Sequence, residues 1–248
     1  MPNLPVHIDI AAQTARLLDH RTLSAYPGHY LLGSTSPDIR AITRRPREEY
    51  HFAPLSFERV GAGVEGLFEA HPRLRGPVDV EEPAVAFMAG YITHILLDEL
   101  WITEVYRPRF GESGDFEDGV GRMVMDRALQ LEMDRMSWGA VDDALPILER
   151  AAAPVDVGFI PPDALSQWRD WVLELLGRGF SWDRLRFMAG RISRGDNGHP
   201  AHGVADEFLE AMPESLDRLL DRVTRDDLDG FKNRSVERVA GALEDYLS

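Results

Sequence analysis

The sequence predicts an all-α protein, and its periodicity and its composition both support this fold class. Apolar residues recur at helical spacing along most of the chain, whereas β-branched runs of alternating polarity hardly occur. Hydrophobic residues make up 44% of the 248 residues and charged residues 28%, as in ordinary globular proteins. We therefore expect a multi-helix bundle with a substantial buried core.

Residues that start and end helices predict the elements in chain order. Pro5 starts the first helix, Ser56 caps the helix before the most apolar one, and Pro108 ends that apolar helix. A loop rich in Gly and Asp is expected at 111–114. We expect helices at about 6–19, 26–33 (a short helix or a turn), 56–70, 83–106, 116–136, 141–152, 163–176, 182–193, 204–220 and 226–247.

Two weakly periodic segments interrupt these helices. Residues 34–54 contain three prolines and are predicted to be a loop draped over the surface, of a length that is usually functional. Residues 153–162 contain further prolines and are the best candidate for a subdomain boundary. The sequence therefore predicts a helical domain at 1–152 and a C-terminal helical subdomain at 153–248 that packs on it.

The charge of the chain argues against long nucleic acids as partners. There are 42 acidic and 27 basic residues, a net charge of −15, which would repel duplex DNA. The one basic cluster lacks the interleaved aromatic residues of a groove for single strands. It is either a solvated loop or an anion clamp beside an active site, and it consists of Arg40, Arg44, Arg45 and Arg47.

Other features limit the location of the protein and its chemistry. The N-terminus has no basic region, long apolar core or small-residue cleavage site, which indicates a cytoplasmic protein without a secretory signal. No apolar run approaches the roughly 20 residues that a membrane span needs. Cysteine is absent, so disulfides and thiolate zinc sites are excluded, and His, Asp and Glu are the available metal ligands.

Common catalytic motifs are missing from the sequence. It contains no Gly-x-Ser-x-Gly elbow, no Gly-x-x-x-x-Gly-Lys phosphate loop and no Gly-x-Gly-x-x-Gly. His and Asp never stand next to each other in that order, which argues against the helical metal phosphohydrolases built on that dipeptide.

The most apolar stretch, 87–101 (FMAGYITHILLDELW), is predicted to lie in the middle of the fold. His94 and Asp98 project from one face of this helix with Cβ atoms roughly 6 Å apart, so they can bind one ion or simply pair for packing. The spacing alone is not distinctive. Chance predicts between one and two such pairs in a chain of this composition, and there are two, the other being His202 and Asp206.

Three residues upstream give the His94 and Asp98 pair its context. His7 lies at the start of the first helix, Asp38 follows the stiff residue Pro37, and His51 lies between two aromatic residues. Each also has a structural interpretation: a histidine at a helix start, an Asx turn and a loop histidine stacked on its neighbours. Their order along the chain is more specific than any one of them.

This order, with the motifs LGSTSPDI, YHF and GYITHILLDELW, resembles the bacterial zinc-dependent phospholipase C family, which is related to the single-strand-specific nucleases of fungi and plants. The resemblance covers about residues 1–107, and the family is all-α. It implies one zinc site made by Asp38, His51, His94 and Asp98. It implies a second site to which His7 and Asp98 contribute, so that Asp98 bridges two ions.

The resemblance also implies a reaction. Asp38 would be a general base, and metal-activated water would attack the phosphorus of a phosphate ester. Clustered carboxylates are costly without cations, and divalent ions would remove that cost. Paired ions can polarise a phosphoryl oxygen and lower the pKa of bound water toward ~7.

The chain departs from the family pattern in two places. Secreted members bind metal through the amine of an N-terminal tryptophan, and here that ligand is expected to be absent unless Met1 or a side chain replaces it. The family also uses further histidines after the helical motif, whereas residues 99–198 contain none. We therefore expect one or two ions. Candidate replacements are Glu104, Asp126, Glu132, His199, His202 and Asp206.

Three functions follow from these observations. The first is a zinc-dependent hydrolase of a phosphate ester, for which an acidic surface and a cytoplasmic location favour a small soluble substrate and leave a lipid open. The second is a non-catalytic relative in which a reduced metal site attaches residues 34–54 to the helices. The third is a structural helical protein without a metal.

Overall fold

The computed structural model describes residues 1–111, 114, 116, 119–151 and 155–248. Within these residues 73% are helical and no strand is formed, which confirms the all-α fold class and the multi-helix bundle. The expected loop at 111–114 and the expected boundary at 153–162 both fall partly outside the described residues. The division into 1–152 and 153–248 stays a prediction.

The helices are numbered in chain order. They are α1 (Leu4–Leu18), α2 (Arg21–Ala25), α3 (Pro27–Gly33), α4 (Arg40–Thr43), α5 (Glu48–His51), α6 (Ala62–Ala70), α7 (Glu82–Leu100), α8 (Gly119–Met136), α9 (Trp138–Glu149), α10 (Pro162–Gly177), α11 (Arg184–Ile192), α12 (Ala201–Glu210), α13 (Glu214–Leu220) and α14 (Arg225–Leu247). Short 3-10 helices occur at Ser36–Ile39 and Pro72–Leu74, and a π-helical segment at Trp101–Phe110 directly follows α7.

Helix α7 is the central element of the fold, as the sequence predicts. Every residue from Ala84 to Leu100 is buried. The helices α1, α2, α3, α6 and α14 pack around it. A helix surrounded on all sides has no face exposed to solvent, so its largely apolar sequence follows from its position.

Helices α3 and α7 are in direct backbone contact at two glycines. A Cβ atom on Gly90 would lie 1.9 Å from the carbonyl oxygen of Tyr30, and one on Gly33 would lie 1.9 Å from that of Phe87. Only glycine permits such an approach. The contact places the C-terminal end of α3 against the middle of α7, where Tyr30 Oη and Thr93 Oγ1 are 3.3 Å apart.

The helix from Glu82 to Phe110 is the one helix in the described ranges that is long and apolar enough to cross a membrane. This helix is longer than the apolar run within it, because the π-helical segment Trp101–Phe110 extends α7. Its most apolar window has a mean hydropathy of 1.3 and is entirely buried in the fold. Core helices show this burial, so length and composition are weak evidence for a membrane span.

The C-terminal helices pack against the first half of the chain. Helix α14 lies against α1 and α7, and α10 lies against α9. Val157, Ile160 and Leu165 belong to the same buried cluster as the apolar residues of α7 from Ala84 to Leu96. Leu97 and Leu100 belong to a second cluster, which also contains residues of both halves. Both halves therefore contribute to both clusters.

The prediction of a surface loop at 34–54 is wrong. This segment forms the 3-10 helix Ser36–Ile39 and the short helices α4 and α5, and much of it is buried. Its serines and threonines satisfy the backbone locally, as when Ser36 Oγ donates to the carbonyl of Leu32 at 2.7 Å. Such bonds let a polar sequence enter the interior without unpaired groups.

Three predicted helix boundaries also differ from the structure. Helix α6 begins at Ala62 rather than near Ser56, because the carboxylate of Glu99 accepts hydrogen bonds from the amides of Gly61 and Gly63 at this end. Pro108 lies inside the π-helical segment and does not end the long helix. The stretch 204–220 is two helices, α12 and α13, because Pro213 interrupts it.

A buried polar cluster connects α1, α8 and α14 near one end of the fold. Asn3 Nδ2 donates to Asp134 Oδ2 at 2.9 Å, while Lys232 Nζ lies 2.5 Å from Asp9 Oδ2 and Ser137 Oγ donates to that oxygen at 2.8 Å. Asp134 Oδ1 has no partner, and burial raises the pKa of Asp134 to about 8. This carboxyl group therefore keeps its proton in the folded protein near neutral pH.

The raised pKa of Asp134 predicts a pH dependence of stability. The folded state holds a proton that the unfolded chain releases near 3.8, so the contribution of Asp134 is largest below about pH 4, falls as the pH rises, and levels off above about 8. We expect Asp134→Asn to gain stability relative to the wild type between about pH 4 and pH 8, by at most about 1.4 kcal/mol per pH unit. Urea unfolding at several pH values measures this difference.

The matched control is Asp143→Asn, at an exposed position of α9. Its stability curve should run parallel to that of the wild type. If the Asp134→Asn curve is also parallel, Asp134 does not hold its proton in the folded state.

Candidate metal centre

The structure brings all five predicted ligands together beside α7. His94 and Asp98 come from α7, His7 from α1, Asp38 from the 3-10 helix Ser36–Ile39 and His51 from the end of α5. Two overlapping groups have ligand atoms within 4.8 Å of one another. These groups are His7, His94 and Asp98, and Asp38, His51 and His94. Either group can hold a metal ion, and that one does so stays a prediction.

Asp98 is the hub of the cluster. Its Oδ1 lies 3.4 Å from His7 Nε2, and its Oδ2 lies 3.2 Å from His51 Nε2 and 3.8 Å from His94 Nε2. Burial alone would raise the pKa of Asp98, but the surrounding imidazoles, His94 foremost, hold it well below its usual range. Asp98 is therefore an ionised carboxylate inside the protein.

His94 is fixed in one tautomer by the end of α3. Its Nδ1 lies 2.9 Å from the carbonyl oxygen of Ser34, which can only accept, so Nδ1 carries the proton and Nε2 keeps its lone pair. The ring stacks on His7 with centroids 3.7 Å apart and planes within 5°. Burial lowers the pKa of His94 well below its ordinary value, and the nearby His7 adds to this effect, so the ring is neutral.

The cluster leaves buried polar atoms without hydrogen bonds. Both ring nitrogens of His7 and of His51, Nε2 of His94 and Oδ1 of Asp98 lack a partner, because the short contacts among them are not aligned as hydrogen bonds. Unpaired buried groups each cost about 1–3 kcal/mol. A divalent cation would satisfy them, and imidazole nitrogen with carboxylate oxygen is a donor set that zinc prefers. The residues present therefore fit the predicted metal.

Arg47 is a member of the cluster that the sequence did not assign to it. Its Nη2 donates to Asp98 Oδ2 at 3.2 Å and its Nη1 donates to the carbonyl of Ala53 at 3.2 Å. The interpretation of the basic cluster as a solvated loop holds for Arg44 and Arg45, which are exposed, and is wrong for Arg47, which is buried. The spacing of Arg47 four residues before His51 is the signal that could have revealed it.

The turn that carries Ser34 and Asp38 is held by the second half of the chain. Trp168, from α10, donates from its Nε1 to Thr35 Oγ1 at 3.1 Å. Trp168 is fully buried and stacks on Trp171 with ring centroids 4.9 Å apart. The sequence indicated a core role for this tryptophan, and the structure adds a hydrogen bond that orients the ligand-bearing turn.

The six candidate replacements for the missing histidines have other partners or surroundings. Asp126 accepts from Trp101 and Gln130, and Glu132 accepts from Arg135 and Arg225. Neither belongs to a group of possible ligands in the described ranges. The same is true of the remaining four, which are Glu104 (bonded to Arg234), His199 (to the amide of Ala201), His202 (to Ser193) and Asp206 (to Arg186).

The α-amino group of Met1 lies inside the protein. Burial lowers the pKa of this amine, and nearby carboxylates, first Asp126 and then Asp98 and Asp38, oppose the effect. The side chain of Met1 packs against Ala53, Phe57 and Ile102. An amine that loses its proton can donate its lone pair to a metal. The α-amino group of Met1 therefore remains a candidate for the missing amine ligand.

Comparison of the chain with models of protein families, with curated proteins and with solved structures gives no match. A function can therefore be proposed from the chemistry of the described side chains. The site offers three imidazoles, two carboxyl groups and one guanidinium, and all of them except the carboxyl group of Asp38 are buried.

Proposed function

We propose that this chain is a metal-dependent hydrolase of a phosphate ester, that zinc is its ion, and that it is a relative of the zinc-dependent phospholipases C that it resembles. The observation that supports this most strongly is the convergence of His7, His51 and His94 on Asp98 with five of their six ring nitrogens unpartnered. Stable folds rarely leave so many buried polar atoms unpaired.

The residues divide into holding and reacting groups. His94 and Asp98, with His7 or His51, would hold the ion. When bound, the ion would supply charge that polarises a phosphoryl oxygen and acidifies a water molecule. Asp38 is the only one of the five predicted ligands that is partly exposed, so a proton released on the substrate side can reach its carboxylate. We assign it the role of general base.

The burial of the cluster limits the substrate. His7, His51, His94 and Asp98 are each 0–1% exposed, so a reacting group must approach past Asp38. The net charge of −15 would repel anionic membranes and long nucleic acids. We therefore propose a small, soluble phosphoester in the cytoplasm as the substrate.

Turnover of generic phosphodiesters and phosphomonoesters tests this function. We expect the wild-type protein to hydrolyse at least one chromogenic ester, to lose this activity on chelation and to regain it with zinc. His94→Ala should be inactive under all these conditions, while His20→Ala, at the corner between α1 and α2, should retain wild-type activity. No metal-dependent turnover on any ester would refute the proposal.

A second candidate is a non-catalytic relative in which the ion only stabilises the fold. The near-complete burial of four ligands favours it, since a structural zinc site is closed and a catalytic site keeps an open position. In that case chelation lowers the melting temperature although no ester is turned over. Elemental analysis of protein purified without chelator separates both candidates from a helical protein that binds no metal.

A further inference from the structure

His94 belongs to both groups of possible ligands but offers only one metal-binding nitrogen. Its Nδ1 donates to the carbonyl of Ser34, which leaves Nε2 as the only nitrogen with a lone pair. One imidazole lone pair binds one ion. Hence the group with His7 and Asp98 and the group with Asp38 and His51 cannot both be filled by three ligands at the same time.

Arg47 places a positive charge beside the second group, next to His51 and His94. Its guanidinium donates to Asp98 Oδ2, and its side chain is only 9% exposed. A guanidinium cannot be deprotonated in proteins, so it is a permanent positive charge on the oxygen that faces His51 and His94. The other oxygen, Oδ1, has no hydrogen-bond partner and faces His7. Oδ1 of Asp98 is therefore available to bind an ion, whereas Oδ2 already accepts a hydrogen bond from Arg47.

We infer that the site takes one divalent ion at a time, and that Arg47 supplies the positive charge that a second ion would bring. His7, His94 and Asp98 would hold this ion, with Asp98 contributing Oδ1, the oxygen to which Arg47 does not donate. This inference rests on the metal site of the proposed function and differs from the bridged pair of ions that the family resemblance implies.

Metal counting on the full chain tests it. Protein stripped with a chelator is titrated with Zn²⁺, and with Co²⁺ as a spectroscopic probe, and the bound metal is counted by elemental analysis after gel filtration. The wild type should bind one equivalent, with any second equivalent at least about 100-fold weaker because Arg47 repels it. Arg47→Met should tighten that second equivalent by at least about 10-fold. Arg47→Lys keeps the charge and should still bind one.

Arg45→Met is the matched control, since Arg45 is exposed and paired with Glu49 on the same stretch. It should bind metal as the wild type does. Two equivalents of similar affinity in the wild type would overturn the inference and leave the proposed function intact, and this count requires no variant to fold. Unchanged binding in a folded Arg47→Met would also overturn it. No bound metal in the wild type would overturn the inference and the proposed function together.

Discussion

Replacement of Gly90 by alanine is expected to destabilise the protein by at least about 3 kcal/mol. The added Cβ would lie 1.9 Å from the carbonyl oxygen of Tyr30 and 2.7 Å from the amide nitrogen of Ser34. Both are backbone atoms of α3 and its C-terminal end, so no flexible side chain can give way. Helices α3 and α7 must separate, and the bond between Ser34 and His94 is lost with them. Urea unfolding measures the loss.

Gly241 provides the matched control for this substitution. It lies at an exposed position inside α14, and a Cβ atom there would have no atom within 4 Å. Gly241→Ala should therefore stabilise the protein, by up to about 1 kcal/mol, because alanine favours a helix over glycine. If Gly90→Ala remains within about 1 kcal/mol of the wild type, the two helices are not in backbone contact.

Replacement of His94 by alanine is expected to weaken zinc binding by at least about 100-fold, a larger effect than the loss of an outer hydrogen-bond partner. His94 is the one residue common to both groups of possible ligands, so neither group found in the described part of the chain keeps three ligands without it. The stabilisation of the fold by a bound ion should therefore be lost in His94→Ala. At a free ion concentration of about 1,000 times Kd, binding stabilises a protein by about 4 kcal/mol.

Calorimetric titration and thermal unfolding with and without zinc measure these two effects. Chelation should lower the melting temperature of the wild type and leave that of His94→Ala unchanged. His20→Ala, which removes a histidine that caps α2 outside the cluster, should bind zinc as the wild type does. Equal zinc affinity in wild type and His94→Ala would show that the ion binds elsewhere.

The parts of this fold that the sequence predicted are those that local periodicity determines. The apolar stretch 87–101 lies in α7 and ends at Trp101, the first residue of the π-helical segment. Its composition predicts its burial on all sides. The family resemblance, which depends on the order of these motifs along the chain, implied that five side chains would gather: His7, Asp38, His51, His94 and Asp98. No spacing rule could have shown it, because the five residues lie on four separate elements.

The parts that were missed depend on long-range contacts. Helices α4 and α5 have four residues each, far fewer than the roughly 12–15 that an isolated helix needs. They are too short for a periodic pattern to predict them. In the sequence Arg47 resembles its exposed neighbours Arg44 and Arg45, and its burial depends in part on a hydrogen bond to Asp98, which is distant in sequence. The start of α6 likewise depends on Glu99 and not on a local cap.

The hydrogen bond between Trp168 and Thr35 has a consequence for how the protein is made. All five predicted ligands have been synthesised once residue 98 is in place, but the turn between Ser34 and Asp38 can form its hydrogen bond to Trp168 only when α10 has been made. Because domains fold as units, we expect the five side chains to reach their arrangement in the folded protein only after more than half of the chain exists.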